Sequence, residues 1–217
     1  MAGPVTKPDT VQLACKAGVI PVIPALEVDR VDRLGDALKA GGLAVVEVTL
    51  RSATAIHVLK RFAADRELLV GAGTVVRPDQ VEIAADAGAR FIVTPGISER
   101  VIHHCHQLGL SVIPGISTPT EIISALDLGC GVLKFFPAQA SGGVAMIAAL
   151  EGPFPDLRLI PTGGVTGENA SAYLSRRSVV AVGGSWMVTP ALEGAGDFEA
   201  VAKLAAHAVA LAAEARS

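Results

Sequence analysis

Two ionisable residues stand in the middle of largely apolar runs. Lys134 lies in Val132-Leu133-Lys134-Phe135-Phe136, and Glu47 lies in Val45-Val46-Glu47-Val48-Thr49-Leu50-Arg51. Both runs read as strands, in which side chains alternate between two faces. Glu47, Thr49 and Arg51 then share one face, with Val46, Val48 and Leu50 on the other. Val132, Lys134 and Phe136 likewise share a face. If both polar faces point to the same interior, Lys134 ends near Glu47. A free lysine titrates near about 10.4, too high for nucleophilic work at neutral pH, but burial disfavours an ammonium. A neutral amine attacks a carbonyl and forms a Schiff base. A neighbouring carboxylate can carry the protons that this chemistry moves. A buried ion pair that only holds the interior together fits the same spacing.

The next candidates are glycines. Thr162-Gly163-Gly164-Val165 and Gly183-Gly184-Ser185 each follow a strand-like run. Backbone N–H groups in such loops, with a helix N-terminus and the Ser185 hydroxyl, suit a phosphate group. Turns that need glycine only for backbone geometry are the alternative. Ser141-Gly142-Gly143 reads as the start of a helix with Ser141 as its N-cap. His103-His104-Cys105-His106 looks like a metal cluster. At helical spacing, however, Val101, Ile102, Cys105 and Leu108 form the apolar stripe and leave the histidines on the solvated side, without an acidic partner. No strand end carries a His or Asp, which disfavours a metal-dependent enzyme. Arg158 stands at the start of a strand, away from this chemistry.

The elements that position these residues alternate in type. Strands are expected at 19–25, 45–50, 68–73, 91–94, 111–114, 132–136, 158–161 and 179–183. Helices are expected at 28–41, 52–65, 77–88, 98–109, 118–128, 142–151, 167–176 and 197–215. Strands alternating with helices imply parallel pairing through right-handed crossovers. Eight such units without a linker predict one α/β domain over 1–217, a (β/α)8 TIM barrel, with a short N-terminal segment, 1–18, capping it. Proline-glycine pairs mark the strand ends, as in Thr94-Pro95-Gly96 and Ile113-Pro114-Gly115, because proline cannot donate to a ladder. In such barrels the chemistry sits at the C-terminal ends of the strands and phosphate at the loops after strands seven and eight. A doubly wound open sheet lacks support, since no Gly-x-Gly-x-x-Gly opens the first helix.

Composition narrows the function classes. The chain has 217 residues, of which 51% are hydrophobic and 18% charged, with a formal net charge of -3. That balance excludes a largely disordered chain and gives no global case for nucleic acid. Aromatics at 4% offer no base-stacking platform. The apolar tract from Val201 to Ala213 is too short for a bilayer, which takes about 20 residues. The proline-bearing start has no signal-peptide core, and three scattered cysteines fit a reducing cytoplasm.

At motif level, the segments Gly42 to Arg51 and Gly129 to Ala138 resemble the active-site and Schiff-base segments of the 2-keto-3-deoxy-6-phosphogluconate (KDPG) and 4-hydroxy-2-oxoglutarate aldolases. Gly71-Ala72-Gly73-Thr74, Thr94-Pro95-Gly96, Ile113 to Thr118, Pro161 to Gly164 and Gly183 to Trp186 extend the similarity over about Val19 to Trp186. The resemblance implies a class I aldolase on a (β/α)8 barrel, usually a homotrimer, with no metal or other cofactor. It implies Lys134 as the imine-forming lysine, Glu47 as the general acid/base and Arg51 as the partner of the pyruvoyl carboxylate. Thr74 and Pro95 then line that end, Phe136 forms an aromatic wall, and Gly163, Gly164, Gly184 and Ser185 hold the distal phosphate. The implied reaction cleaves a phosphorylated 2-keto acid, KDPG, to pyruvate and glyceraldehyde 3-phosphate. The galactonate epimer, unphosphorylated 4-hydroxy-2-oxoglutarate, or a non-catalytic phosphosugar-binding barrel are the alternatives. One departure is Gln139, where relatives often carry Glu, with effects expected at the rim only.

Overall fold

A computed structural model describes residues 10–24, 26–189 and 196–216. Residues 1–9 of the expected N-terminal segment and Ala25, the expected end of the first strand, lie outside them. Helix α1 spans Thr10–Cys15 and strand β1 Val19–Ile23. A 3-10 turn at Val28–Arg30 leads into α2, Val31–Ala40. There follow β2 Val45–Thr49, α3 Ala55–Ala63, β3 Leu69–Gly73, α4 Pro78–Asp86, β4 Phe91–Val93 and α5 Glu99–Gln107. Next come β5 Ser111–Ile113, β6 Gly115–Ile116, α6 Pro119–Asp127, β7 Leu133–Phe135 and α7 Gly143–Leu150. The last are β8 Leu159–Pro161, α8 Ala170–Leu174, β9 Val182–Gly184 and α9 Phe198–Glu214.

All strand pairs are parallel. They form a curled six-stranded sheet, β5-β4-β3-β2-β1-β9, and a three-stranded sheet, β6-β7-β8. The expected single eight-stranded sheet is thus observed in two parts. The fifth expected strand runs past Pro114 instead of ending there. Pro114 has no N–H, so the ladder is interrupted, yet its carbonyl accepts from Lys134 N at 2.9 Å. β5 therefore pairs with β4, and β6, two residues later, with β7. At the other edge, isolated parallel bridges join Leu159 to Val179 and Thr162 to Gly183.

Two apolar layers form. On one side Val46 and Val48 of β2 pack with helical residues such as Leu34, Val58, Leu59 and Phe62. The buried positions of α3 (Ala55, Val58, Leu59, Phe62) recur every three or four residues, the spacing of one helical face. Val58, Leu59 and Phe62 each contribute about 1.5–3 kcal/mol by their burial. On the other face Ile20, Val45, Phe91, Val93, Ile113, Val132, Ile160 and Ala181 form a second cluster, joined by Val11, Ala14 and Cys15 of α1.

Several local expectations change. The last strand, expected at 179–183, lies at Val182–Gly184, so Gly184 joins Gly183 in β9 and only Ser185 follows it. The helix expected at 167–176 is five residues long and begins six residues after Gly164; it supplies no N-terminal dipole to the glycine loop. Gly142, at φ 100°, is the N-cap of α7 in place of Ser141, because the chain enters that helix through the left-handed region. Leu108 ends α5 and is 46% exposed, so the buried stripe is Val101, Ile102 and Cys105. No described helix is long and apolar enough to cross a membrane.

Candidate active site

β2 and β7 carry the two ionisable residues that face each other. Lys134 and Glu47 are both buried, and Lys134 Nζ donates to Glu47 Oε1 at 3.2 Å. Register explains the meeting. β6 lies beside β7 with Gly115 opposite Lys134, and β2 lies beside β3 with Glu47 opposite Gly71 and Thr49 opposite Gly73. Glycines clear the space between them. A methyl group on Gly73 would collide with the Glu47 carboxylate, and one on Gly115 would collide with the Pro95 carbonyl. In the sequence Gly73 stands out only as part of the Gly71-Ala72-Gly73-Thr74 motif; its lack of a side chain is what admits the carboxylate. Thr49, on the Glu47 face, donates to the carbonyls of Ile23 (3.0 Å) and Pro24 (3.2 Å), tying the ends of β1 and β2 together.

A cavity of about 430 Å³ opens above the lysine. Arg51, Thr74, Pro95, Lys134, Phe136, Gly163, Gly164, Gly184 and Ser185 all line it. Glu47 sits behind Lys134 rather than on the cavity wall. Thr49, Thr162, Val165 and Gly183, which belong to the same sequence runs, complete the lining together with Val22 and Pro24, which were not singled out from sequence. Arg51 and Ser185 are exposed at the mouth, and Lys134 Nζ lies 5.1 Å from the centre of the Phe136 ring. Phe136 precedes Pro137 through a cis peptide bond.

Thr74 has φ 59° and is the one non-glycine residue with positive φ among the described residues. A β-branched residue there is strained by about 1–3 kcal/mol, a cost typically found where a backbone is held for function. At the opposite end of the cavity Gly163 (φ 94°) and Gly164 (φ 79°) are both left-handed. Gln139 lies under this loop. A methyl group on Gly164 would collide with its side chain, and its amide oxygen accepts from Tyr173 Oη at 2.8 Å. Gln139 is therefore a support of the glycine loop.

The other clusters fall elsewhere. A cavity of about 360 Å³ with Arg158 and His106 lies by the starts of β5 and β8, far from the Lys134–Glu47 pair. His104 does have an acidic neighbour, Glu82 Oε1 at 3.0 Å, reached from α4. No group of three or more His, Cys, Asp or Glu comes together among the described residues.

A parallel α/β scaffold with a buried lysine–carboxylate pair beneath an open cavity has the form of a Schiff-base enzyme. The chain belongs to the KDPG and KHG aldolase family, whose pattern it matches over residues 11–204. It is 41% identical over 192 residues to the KHG/KDPG aldolase of Escherichia coli (strain K12), covering 88% of this chain and 90% of that one. It is 44% identical over 189 residues to the 2-dehydro-3-deoxy-phosphogluconate aldolase of Treponema pallidum (strain Nichols), covering 86% and 89%. Among solved structures, the KDPG aldolase of Legionella pneumophila, with pyruvate captured at low pH as a covalent carbinolamine intermediate, superposes with a TM-score of 0.88. It shares 36% identity over 94% of this chain and 98% of that one.

Proposed function

We propose that the chain is a class I aldolase that cleaves KDPG to pyruvate and glyceraldehyde 3-phosphate, and 4-hydroxy-2-oxoglutarate to pyruvate and glyoxylate. The observation that carries this is the 3.2 Å contact between Lys134 Nζ and Glu47 Oε1 at the floor of the cavity. The names of the relatives support the two substrates.

Lys134, as the neutral amine, attacks the C2 ketone to give a carbinolamine. Glu47 protonates the departing hydroxyl, water leaves, and a protonated imine remains. Arg51 pairs with the C1 carboxylate at the mouth, while Thr74, Pro95 and Phe136 wall that end. Glu47, directly or through a water, takes the C4 hydroxyl proton. The C3–C4 bond breaks, its electrons flow into the imine, and the aldehyde product departs. The resulting enamine is protonated at C3, and hydrolysis releases pyruvate and restores Lys134. The imine is the electron sink, so no metal is required. Gly163, Gly164, Gly184 and Ser185 hold the phosphate of the longer substrate through backbone N–H groups and a hydroxyl.

The scaffold of this reading is a closed (β/α)8 barrel over 1–217. The bridges at Leu159–Val179 and Thr162–Gly183, and the continuity of β5 and β6 through Pro114, support closure. The packing of α1 on the apolar cluster beneath Lys134 supports a capping role. The protein is cytoplasmic and works as a homotrimer in this reading, whose contacts would cover exposed apolar side chains such as Ile123 and Leu126 on α6. Incubation with KDPG tests the function. Pyruvate and glyceraldehyde 3-phosphate should form in equal amounts and survive a chelator. No release of pyruvate from either substrate would favour a non-catalytic phosphosugar-binding protein, and release from the galactonate epimer alone would reassign the substrate.

A further inference from the structure

Trp186 is the chain's one tryptophan, and it stands immediately after the Gly184-Ser185 wall of the cavity. Its neighbours Met187 and Val188 are fully buried and anchor the turn, which closes when Val188 N donates to Ser185 O at 3.0 Å. Trp186 itself is only half-buried. Its six-membered ring occupies the space where a side chain on Gly184 would stand, so a methyl group there would collide with it. The opposite, five-membered edge lies against Gly167. There, a methyl group would rest 3.4 Å from both Cδ1 and Nε1. One rigid ring thus spans from β9 to the loop that carries Gly163 and Gly164. Its Nε1–H is buried and has no hydrogen-bond partner among the described residues. An unpaired buried donor is unfavourable, so hydrogen bonding does not explain why the indole sits there. Its flat surface, filling the gap between two backbones, does.

We infer that Trp186 is a positioning residue for the phosphate end of the cavity. It sets the spacing between the Gly163-Gly164 loop and the Gly184-Ser185 turn, and so decides how well a phosphomonoester is held. It acts through those residues and does not itself line the cavity. The inference rests on the assignment of these loops to phosphate. Removing the ring lets the two loops move relative to each other. The pyruvoyl end, formed by Lys134 on β7, Glu47 on β2 and Arg51 just after β2, should not feel the change.

The test compares wild type with Trp186→Leu and Trp186→Phe. Glycerol 3-phosphate, an unreactive phosphomonoester, is titrated calorimetrically, and covalent capture of pyruvate by borohydride is measured on the same samples. Trp186→Leu should weaken glycerol 3-phosphate about tenfold, the loss of roughly one charge-assisted donor from the cradle. Trp186→Phe keeps a ring over Gly184 and should bind within about threefold of wild type, a shift smaller than one such donor. Pyruvate capture should be equal in all three. Glycerol 3-phosphate binding unchanged in Trp186→Leu, or a loss of pyruvate capture in step with it, would overturn the positioning role. Phe failing as badly as Leu would overturn it too. Capture in the wild type judges the lysine chemistry separately, since the binding ratio between variant and wild type does not depend on it.

Discussion

The Glu47 carboxylate occupies the space that any side chain at position 73 would fill. Gly73 ends β3 directly beside Thr49 of β2, two residues beyond Glu47. Its φ lies outside the left-handed region, so alanine suits the backbone and only the carboxylate stands in the way.

Gly73→Ala should therefore fold and lose activity. The added methyl must push Glu47 away from Lys134, and a misplacement of about 1 Å in an active site costs on the order of a hundredfold. Glu47→Gln, which keeps the shape but cannot shuttle a proton, should lose about 10²- to 10⁴-fold. Steady-state kcat/KM on KDPG, with circular dichroism to follow folding, checks both. Wild-type rates in Gly73→Ala would mean that the carboxylate has other room.

Ser185→Ala removes one hydroxyl donor from the proposed phosphate site. If that bond reaches a charged acceptor, its loss is on the order of 1.5–3 kcal/mol, or roughly ten- to over a hundredfold in kcat/KM on KDPG. Cleavage of 4-hydroxy-2-oxoglutarate, which carries no phosphate, should change much less. Equal losses on both substrates would make the glycine loops turns only.

Glu151 anchors the end of α7 to the segment before β9. It accepts from Ser178 Oγ (2.8 Å) and Ser178 N (3.1 Å) and pairs with Arg176. Burial alone would raise its carboxyl, but Arg176 and Ser178 together hold it below the usual carboxylate range. A depressed folded-state value means that the stabilisation is complete above the unfolded value, near about 4.3, and is lost as pH falls through the folded one. Glu151→Gln should cost about 1–3 kcal/mol at neutral pH, because it weakens a buried network. Urea unfolding of both proteins should show a constant gap from neutral pH down to about 5, shrinking below about 4. A gap that stays constant or widens in acid would contradict this.

Burial pushes the Cys105 thiol up to about 12 and the Cys130 thiol up to about 11. The thiolate is the reactive form, so both should resist iodoacetamide at neutral pH in the folded protein and react once it is unfolded. Peptide mapping after labelling reads this directly. Rapid native labelling of Cys105 would show that α5 opens readily.

Much of the site was legible because strand periodicity is local. It put Glu47 with Thr49 and Lys134 with Phe136 from a few residues each, and those faces are the ones that meet. Gly73 was not legible in this way. A missing side chain matters only once β3 lies beside β2 in one particular register, and no local pattern states that register. The same holds for Pro114, which reads as a strand end but interrupts one ladder just before another begins. The shift of the last strand to Val182–Gly184 has a related cause. Gly183 reads as the last strand residue and Gly184 as loop, yet glycine at both is what lets Thr162 and Trp186 pack against β9.

The proposed reaction turns on Lys134 forming a covalent bond with a keto acid. The direct measurement is reduction by borohydride in the presence of pyruvate, followed by mass mapping of the modified peptide. A single pyruvyl adduct on Lys134, absent in Lys134→Ala protein that still folds, is the expected result. Unmodified protein, or an adduct on Lys16, Lys39, Lys60 or Lys203, would contradict it.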